Sequence, residues 1–284
     1  MAERQNPIVE ARGGLKMPSL GLGSWMMGMD PAKKAEEVKA LQYGLDLGLN
    51  LIDTAEMYGD GGSEKVVGEA IKGRRDNVTL VTKIQPHKAN AQGIRDYVDR
   101  SLGYLGTDYI DLYLLHDRPA FPAEEILEAF EELKEQGKIL HYGVSNHDLG
   151  LMQEWEELSL GKSVECNQLR YALTHRALES EILPWCEDNN IAIMAYSPVG
   201  VGKLNHAPEL LSVARRHDVT PWCVAIGWAM RNPKIVAIPK ASNIEHVEGN
   251  AKALALEFSE QDLADLDRAY PRPPAGSFDI YDEE

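Results

Sequence analysis

Cysteine is scarce: 284 residues hold three, Cys166, Cys186 and Cys223. Their number is odd and none form the close pairs of zinc ligation or a disulfide framework, so reduced thiols in a cytoplasmic protein are expected. Positive charge is also short. Twenty-nine Lys and Arg stand against 45 Asp and Glu, a net charge of −16 at pH 7. This argues against nucleic acid or an anionic membrane as the main partner, while leaving room for a local basic pocket that holds a small anion. No run approaches the roughly 18 apolar residues of a membrane-spanning helix, and Met1–Glu10 has no apolar stretch of the secretory kind. Low-complexity tracts are missing, and Gly and Pro are spread along the chain instead of marking a linker. One domain over residues 1–284 is expected. No G-x-G-x-x-G follows the first apolar run, and Gly59-Asp60-Gly61-Gly62 lacks the Gly-Lys-Ser/Thr that closes a phosphate-binding P-loop. That stretch reads as a loop with a helix cap at Ser63.

What the chain does have is rhythm. After a hairpin around Ile8–Met17, turned by Gly13-Gly14, eight short apolar runs recur. They are Leu20–Gly23, Asn50–Asp53, Val78–Lys83, Ile110–His116, Leu140–Ser145, Ser163–Gln168, Ile191–Ser197 and Ile235–Pro239. Each is brief and β-branched enough to be a strand buried on both faces. Amphipathic segments separate them: Ala32–Leu47, Glu64–Lys72, Ala91–Leu105, Glu124–Gln136, Leu149–Leu158, Ala177–Asn189, Pro221–Arg231 and Ile244–Leu254, with extra helices at Glu209–His217 and Glu260–Ala269. In the fourth, Ile126, Leu127, Phe130 and Leu133 make one apolar stripe and Gly137 suits a left-handed C-cap. Strict alternation implies parallel strands with right-handed crossovers. Eight such units predict an α/β fold, a closed (β/α)8 TIM barrel with an N-terminal β-hairpin and extra C-terminal helices.

Barrel chemistry belongs at the C-terminal strand ends. There the sequence places Asp53, Lys83 and His116, with Tyr58 in the loop five residues after Asp53. Singly, each has a bland alternative: a turn carboxylate, a solvated lysine, a packing aromatic, a structural histidine. Together, at the same end of neighbouring strands, they make an acid/base constellation.

These residues also carry a family resemblance. Leu49–Gly59, Leu80–Lys83 and Asp108–His116, followed by Gly143–Asn146, Cys166–Gln168, Ala195–Pro198 and Ile238–Lys240, resemble the aldo-keto reductase superfamily of general bacterial or archaeal type. These ordered motifs, spread over roughly residues 20–250, carry the match. The resemblance implies NAD(P)H-dependent reduction of aldehydes and ketones, with Asp53, Tyr58, Lys83 and His116 as the catalytic tetrad. Tyr58 would donate the proton. A free phenol titrates near ~10, and the Lys83 ammonium would lower that value, Asp53 would hold Lys83, and His116 would orient the carbonyl oxygen.

The same resemblance assigns the cofactor cleft. Ser145, Asn146 and Gln168 would hold the nicotinamide carboxamide, Tyr196 would stack on the ring, and Ser197, Pro198, Val199, Gly200 and Gly202 would begin the pyrophosphate loop. Gly23, Ser24 and Trp25 lie at the mouth of the first strand, beside Asp53. Pro239, Lys240, Ala241, Ser242, Asn243, His246 and Asn250 would meet the nucleotide end. Here the sequence departs from the family pattern. His246 stands at the position of a phosphate-gripping Arg, and Gly249 at a usual Glu. A mostly neutral His grips a 2′-phosphate less firmly than Arg, so NADPH is expected, with NADH possible.

Substrate choice would fall to Trp25, Tyr58, His116 and Arg118, with Phe278 and Tyr281 from the tail. Asp117 replaces a tryptophan often found after the His, which favours a small, polar carbonyl. The expected partner is that small molecule, the chain being a monomer or weak homo-oligomer. Two other readings compete: a nucleotide-binding regulatory subunit of the channel β-subunit type, suggested by Tyr171–Arg176, and a Schiff-base aldolase using Lys83.

Overall fold

The computed structural model describes residues 5–202, 204 and 207–274; Phe278 and Tyr281 lie outside them. A β-hairpin, β1 (Ile8–Glu10) and β2 (Lys16–Pro18), comes first. Gly13 and Gly14 at its turn have φ of 69° and 88°, the left-handed region that the Gly-Gly pair supplies without steric cost.

Eight parallel strands follow: β3 (Leu22–Gly23), β4 (Leu51–Asp53), β5 (Thr79–Ile84), β6 (Ile110–Leu115), β7 (Ile139–Ser145), β8 (Cys166–Arg170), β9 (Ala192–Tyr196) and β10 (Ile235–Ala237). Each pairs with the next in chain order. The barrel closes through parallel bridges from Leu20 to Ala237 and from Gly23 to Lys240. The close approach at Gly23 is why a glycine stands there: a Cβ would lie 2.7 Å from the Ile238 carbonyl oxygen.

The helices are α1 (Lys34–Asp46), α2 (Gly62–Ile71), α3 (Ala91–Leu105), α4 (Ala123–Glu135), α5 (Leu149–Glu156), α6 (Ile182–Asp188), α7 (Pro208–Arg216), α8 (Pro221–Ala229), α9 (Ile244–Ala251) and α10 (Glu260–Ala269). α7 and α10 are the two extra helices expected from the sequence. Three departures from the sequence reading have a plain structural cause. The strand expected from Ser163 starts at Cys166, because Gly161–Ser163 forms a 3-10 turn. The helix expected over Ala177–Asn189 splits into a 3-10 turn, Ala177–Glu179, and α6. Pro184 gives the reason. It has no N–H and its ring would clash with a carbonyl one turn earlier in a continuous helix, whereas near the start of α6 neither matters. Ser63 does not cap α2: the helix begins at Gly62 and the Ser63 hydroxyl is buried in a hydrogen-bond network.

Two apolar layers result. One lies between barrel and helices. The other fills the barrel with Leu51, Val81, Leu112, Leu114, Cys166, Ala192, Met194, Val236 and Ile238, plus Val9, Leu15 and Met17 from the hairpin. Side chains alternate along a strand. The inward set therefore continues, two residues on, to Asp53 after Leu51, Lys83 after Val81, His116 after Leu114, Gln168 after Cys166 and Tyr196 after Met194. A greasy interior thus ends in a polar layer at the C-terminal face. Among the described residues no helix is long and apolar enough to cross a membrane, and all three cysteines are free and buried.

Candidate active site

Lys83 is fully buried. Its ammonium lies 2.8 and 2.9 Å from the two Asp53 carboxylate oxygens, donates to the Thr54 carbonyl at 2.7 Å, and approaches the Tyr58 hydroxyl at 3.5 Å. Burial alone would push its pKa down, but Asp53 and Tyr58 outweigh that and the net direction is up. A buried ammonium with a carboxylate partner stays charged. The Gln168 amide donates to Asp53 Oδ1 at 2.8 Å, so Asp53 is held from two sides.

The Tyr58 ring meets the His116 ring edge to face, centroids 5.7 Å apart. The structure therefore brings all four sequence-nominated residues together. One detail is corrected. Lys83 does lower the Tyr58 pKa, but desolvation raises it more and Asp53 adds to the rise, so the net direction is upward. Burial is the cause: the Lys83 ammonium lowers the phenol's pKa by more than Asp53 raises it, and desolvation outweighs that gain. Tyr58 is accordingly held as a neutral donor. His116 is pushed down to about 3, by desolvation first and Lys83 second. Its ring is neutral at pH 7, and Nδ1 is buried without a hydrogen-bond partner among the described residues.

Beside the tetrad, Ser145 Oγ donates to the Gln168 carbonyl at 2.9 Å, and Tyr196 OH donates to Asn146 Oδ1 at 3.1 Å. Asn146 and Ser197 have φ of 57° and 50°, and Gly200 and Gly202 follow at 61° and 78°. Both connections thus turn sharply past the strand ends. These side chains form a cluster of amides and hydroxyls next to an aromatic ring, a donor set matched to a flat carboxamide. Pro198 and Gly200 are buried and Val199 half-buried in the turn after β9.

After β10, Asn243 caps α9 by accepting from the His246 N–H at 2.8 Å, and the Lys240 ammonium donates to Ser242 Oγ at 3.2 Å. Lys240 and His246 are exposed, Asn250 is half-buried, and Pro239 and Ala241 are buried. Two nominated residues are otherwise engaged. The Ser24 hydroxyl is fully buried, donating to the Asp53 carbonyl at 2.8 Å and accepting from Ser63 Oγ at 2.7 Å. Arg118 pairs with Asp148, the N-cap of α5. Trp25 is exposed, as are its neighbours Met26 and Met29 and, in the Tyr58 loop, Met57. The Thr54 carbonyl and the Gln168 bond to Asp53 had no signal of their own in the sequence. A main-chain acceptor leaves no mark on residue type, and the second depends on β8 lying across the barrel from β4.

A model of the aldo/keto reductase family matches residues 19–271. The methylglyoxal reductase YeaE of Escherichia coli (strain K12) is 43% identical over 274 residues, covering 95% of this chain and 96% of that protein. The NADH-specific methylglyoxal reductase of the same strain is 29% identical, with 87% of this chain and 93% of the relative covered. An aldo/keto reductase from Klebsiella pneumoniae, solved in complex with NADP and acetate, superimposes with a TM-score of 0.93 at 41% identity over 97% of this chain and 99% of its own. With the closed barrel and the Asp–Lys–Tyr–His cluster at its mouth, these matches lead to one assignment: the chain belongs to the aldo/keto reductase family.

Proposed function

We propose that this protein reduces small aldehydes and ketones to alcohols with NADPH, NADH being a second, weaker cofactor. The observation that carries the reading is the Asp53–Lys83–Tyr58–His116 cluster, in which a buried ion pair underlies one neutral phenol and one neutral imidazole side by side at the barrel mouth. The bound dinucleotide supplies the hydride to the carbonyl carbon. The rest falls to the chain. Tyr58 gives its proton to the carbonyl oxygen, His116 donates a hydrogen bond that fixes that oxygen, and Lys83 steadies the phenol as it loses its proton. Asp53 keeps Lys83 charged and in place. Because the four act as one unit, their single losses are not additive.

Ser145, Asn146 and Gln168 suit the carboxamide, and Tyr196 offers a ring to stack on the nicotinamide. The turn of Ser197, Pro198, Val199, Gly200 and Gly202, together with Gly23, Ser24 and Trp25 on the other side of β10, would take the pyrophosphate. Lys240, Ser242, Asn243 and His246 would meet the ribose phosphate, between Pro239, Ala241 and Asn250. The names of two relatives support methylglyoxal as substrate, in line with a small, polar carbonyl. A Schiff-base lysine must be unprotonated to attack, and Asp53 holds Lys83 in the opposite state.

The test is loss of reduced-nicotinamide absorbance with NADPH and NADH in parallel, on methylglyoxal and on a nitrobenzaldehyde. Turnover with NADPH is expected. Tight nucleotide binding without oxidation on either aldehyde would instead favour a nucleotide-binding regulatory subunit.

A further inference from the structure

Between Asp53 and Tyr58 lies a second carboxylate that the reaction does not use. The Glu56 side chain is fully buried and carries two cations. Lys88 reaches both of its oxygens, at 3.1 and 3.0 Å, and Arg100 of α3 donates at 2.7 Å. The Gln85 N–H donates to it at 3.3 Å, while the Glu56 N–H donates to the Lys83 carbonyl at 3.3 Å. The loop that bears Tyr58 is thereby fastened at this residue to the end of β5, which bears Lys83.

The cations are themselves held. The Tyr97 ring lies under both Lys88, at 4.5 Å, and Arg100, at 4.3 Å. The far side of the same loop also rests on α3: Gly61 approaches the Tyr104 ring so closely that a Cβ would lie 2.4 Å from it. Tyr58 therefore sits between two anchor points on one helix, Glu56 through Arg100 and Gly61 through Tyr104. Burying a carboxylate costs several kcal/mol of desolvation that ion pairing offsets only in part, so such a group is a poor device for stability alone. A fixed geometry is what it does secure.

We propose that Glu56 is a positioning residue for carbonyl reduction. By clamping the Tyr58 loop to Lys88, Arg100 and the β5 end, it sets the separation of the Tyr58 hydroxyl from Lys83. The inference rests on the reading of Tyr58 as proton donor.

The test compares Glu56→Gln with wild type and with Tyr58→Phe. It reads kcat, the KM for methylglyoxal, the Kd for NADPH and the isotope effect on kcat with deuterated nicotinamide. Glutamine keeps the size but cannot hold two cations. Displacement of a reacting group by about 1 Å costs on the order of 10²-fold, so kcat per nucleotide-binding site should fall roughly 10- to 100-fold. KM and Kd should stay within about threefold of wild type, and the isotope effect should rise as the chemical step becomes limiting. A purely structural role would reduce the number of binding sites and leave kcat per site and the isotope effect alone. Lys88→Met and Arg100→Met, at part-exposed positions, give the same readout if Glu56→Gln does not fold. Unchanged kcat per site in the folded variants overturns the inference while Tyr58→Phe stays inactive. Full activity of Tyr58→Phe would overturn the reading beneath it.

Discussion

Replacing Lys83 by Met should damage stability as much as chemistry, and the amount follows from its surroundings. The ammonium is fully buried and meets two Asp53 oxygens and the Thr54 carbonyl within 3 Å. Methionine fills a similar volume, so the cavity contribution is small. What remains is Asp53, 3% exposed, a buried carboxylate left with Gln168 as its side-chain partner. Breaking one side of a buried ion pair costs about 3–5 kcal/mol. For a chain of this size each kcal/mol lowers the melting temperature by roughly 2–4 °C, so a drop of at least ~6 °C is expected by calorimetry. Asp53→Asn alone should also destabilise, because it strands the ammonium. The double variant, Lys83→Met with Asp53→Asn, removes both charges and should be more stable than the sum of the single losses predicts by ~2 kcal/mol or more. All three should be inactive. Additive melting shifts, or a Lys83→Met protein as stable as wild type, would refute the account of Lys83 as an ion held by Asp53.

Two further outcomes follow from the same geometry. His116 is pushed down to about 3 and His147, buried and set edge to face against Trp155, to about 4, in both cases chiefly by desolvation. Between those values and the unfolded value near ~6.5 the unfolded chain binds more protons than the native one. Stability should thus fall as pH is lowered from about 6.5 to 4, by up to ~1.4 kcal/mol per pH unit for each histidine. His147→Gln should flatten that slope in urea titrations read across this range. At the nucleotide end, His246→Arg restores a permanently charged fork at an exposed position. It should tighten NADPH on the order of tenfold, one charge-assisted contact, and leave NADH unchanged, as measured by quenching of protein fluorescence.

The barrel was legible because it rests on repeated local signals. Eight apolar runs with amphipathic segments between them force parallel pairing, and the runs match the observed strands within a residue or two at both ends, except at the start of β8, where a 3-10 turn intervenes at Gly161–Ser163. The tetrad was legible for a related reason: Asp53, Lys83 and His116 continue the inward-facing parity of their strands, and motif resemblance supplied Tyr58. What the sequence did not show are interactions between distant elements. The balance of burial against Lys83 at Tyr58, the capture of Arg118 by Asp148, and the inward turn of the Ser24 hydroxyl onto Asp53 and Ser63 all depend on which loops meet. Pro184 was a readable warning of the break before α6. Trp155 is buried against His147, while Trp185 is half-buried.

The central claim is that Tyr58 delivers the proton. The most direct measurement is turnover of methylglyoxal by Tyr58→Phe with NADPH, beside nucleotide titration of the same protein. A change of one hydroxyl to hydrogen at a half-buried ring leaves the fold and the cleft intact. Loss of general-acid catalysis is worth about 10²–10⁴-fold, so kcat should fall by that amount with the NADPH Kd unaltered. Turnover within a few-fold of wild type would contradict the account and move the proton donor elsewhere in the site.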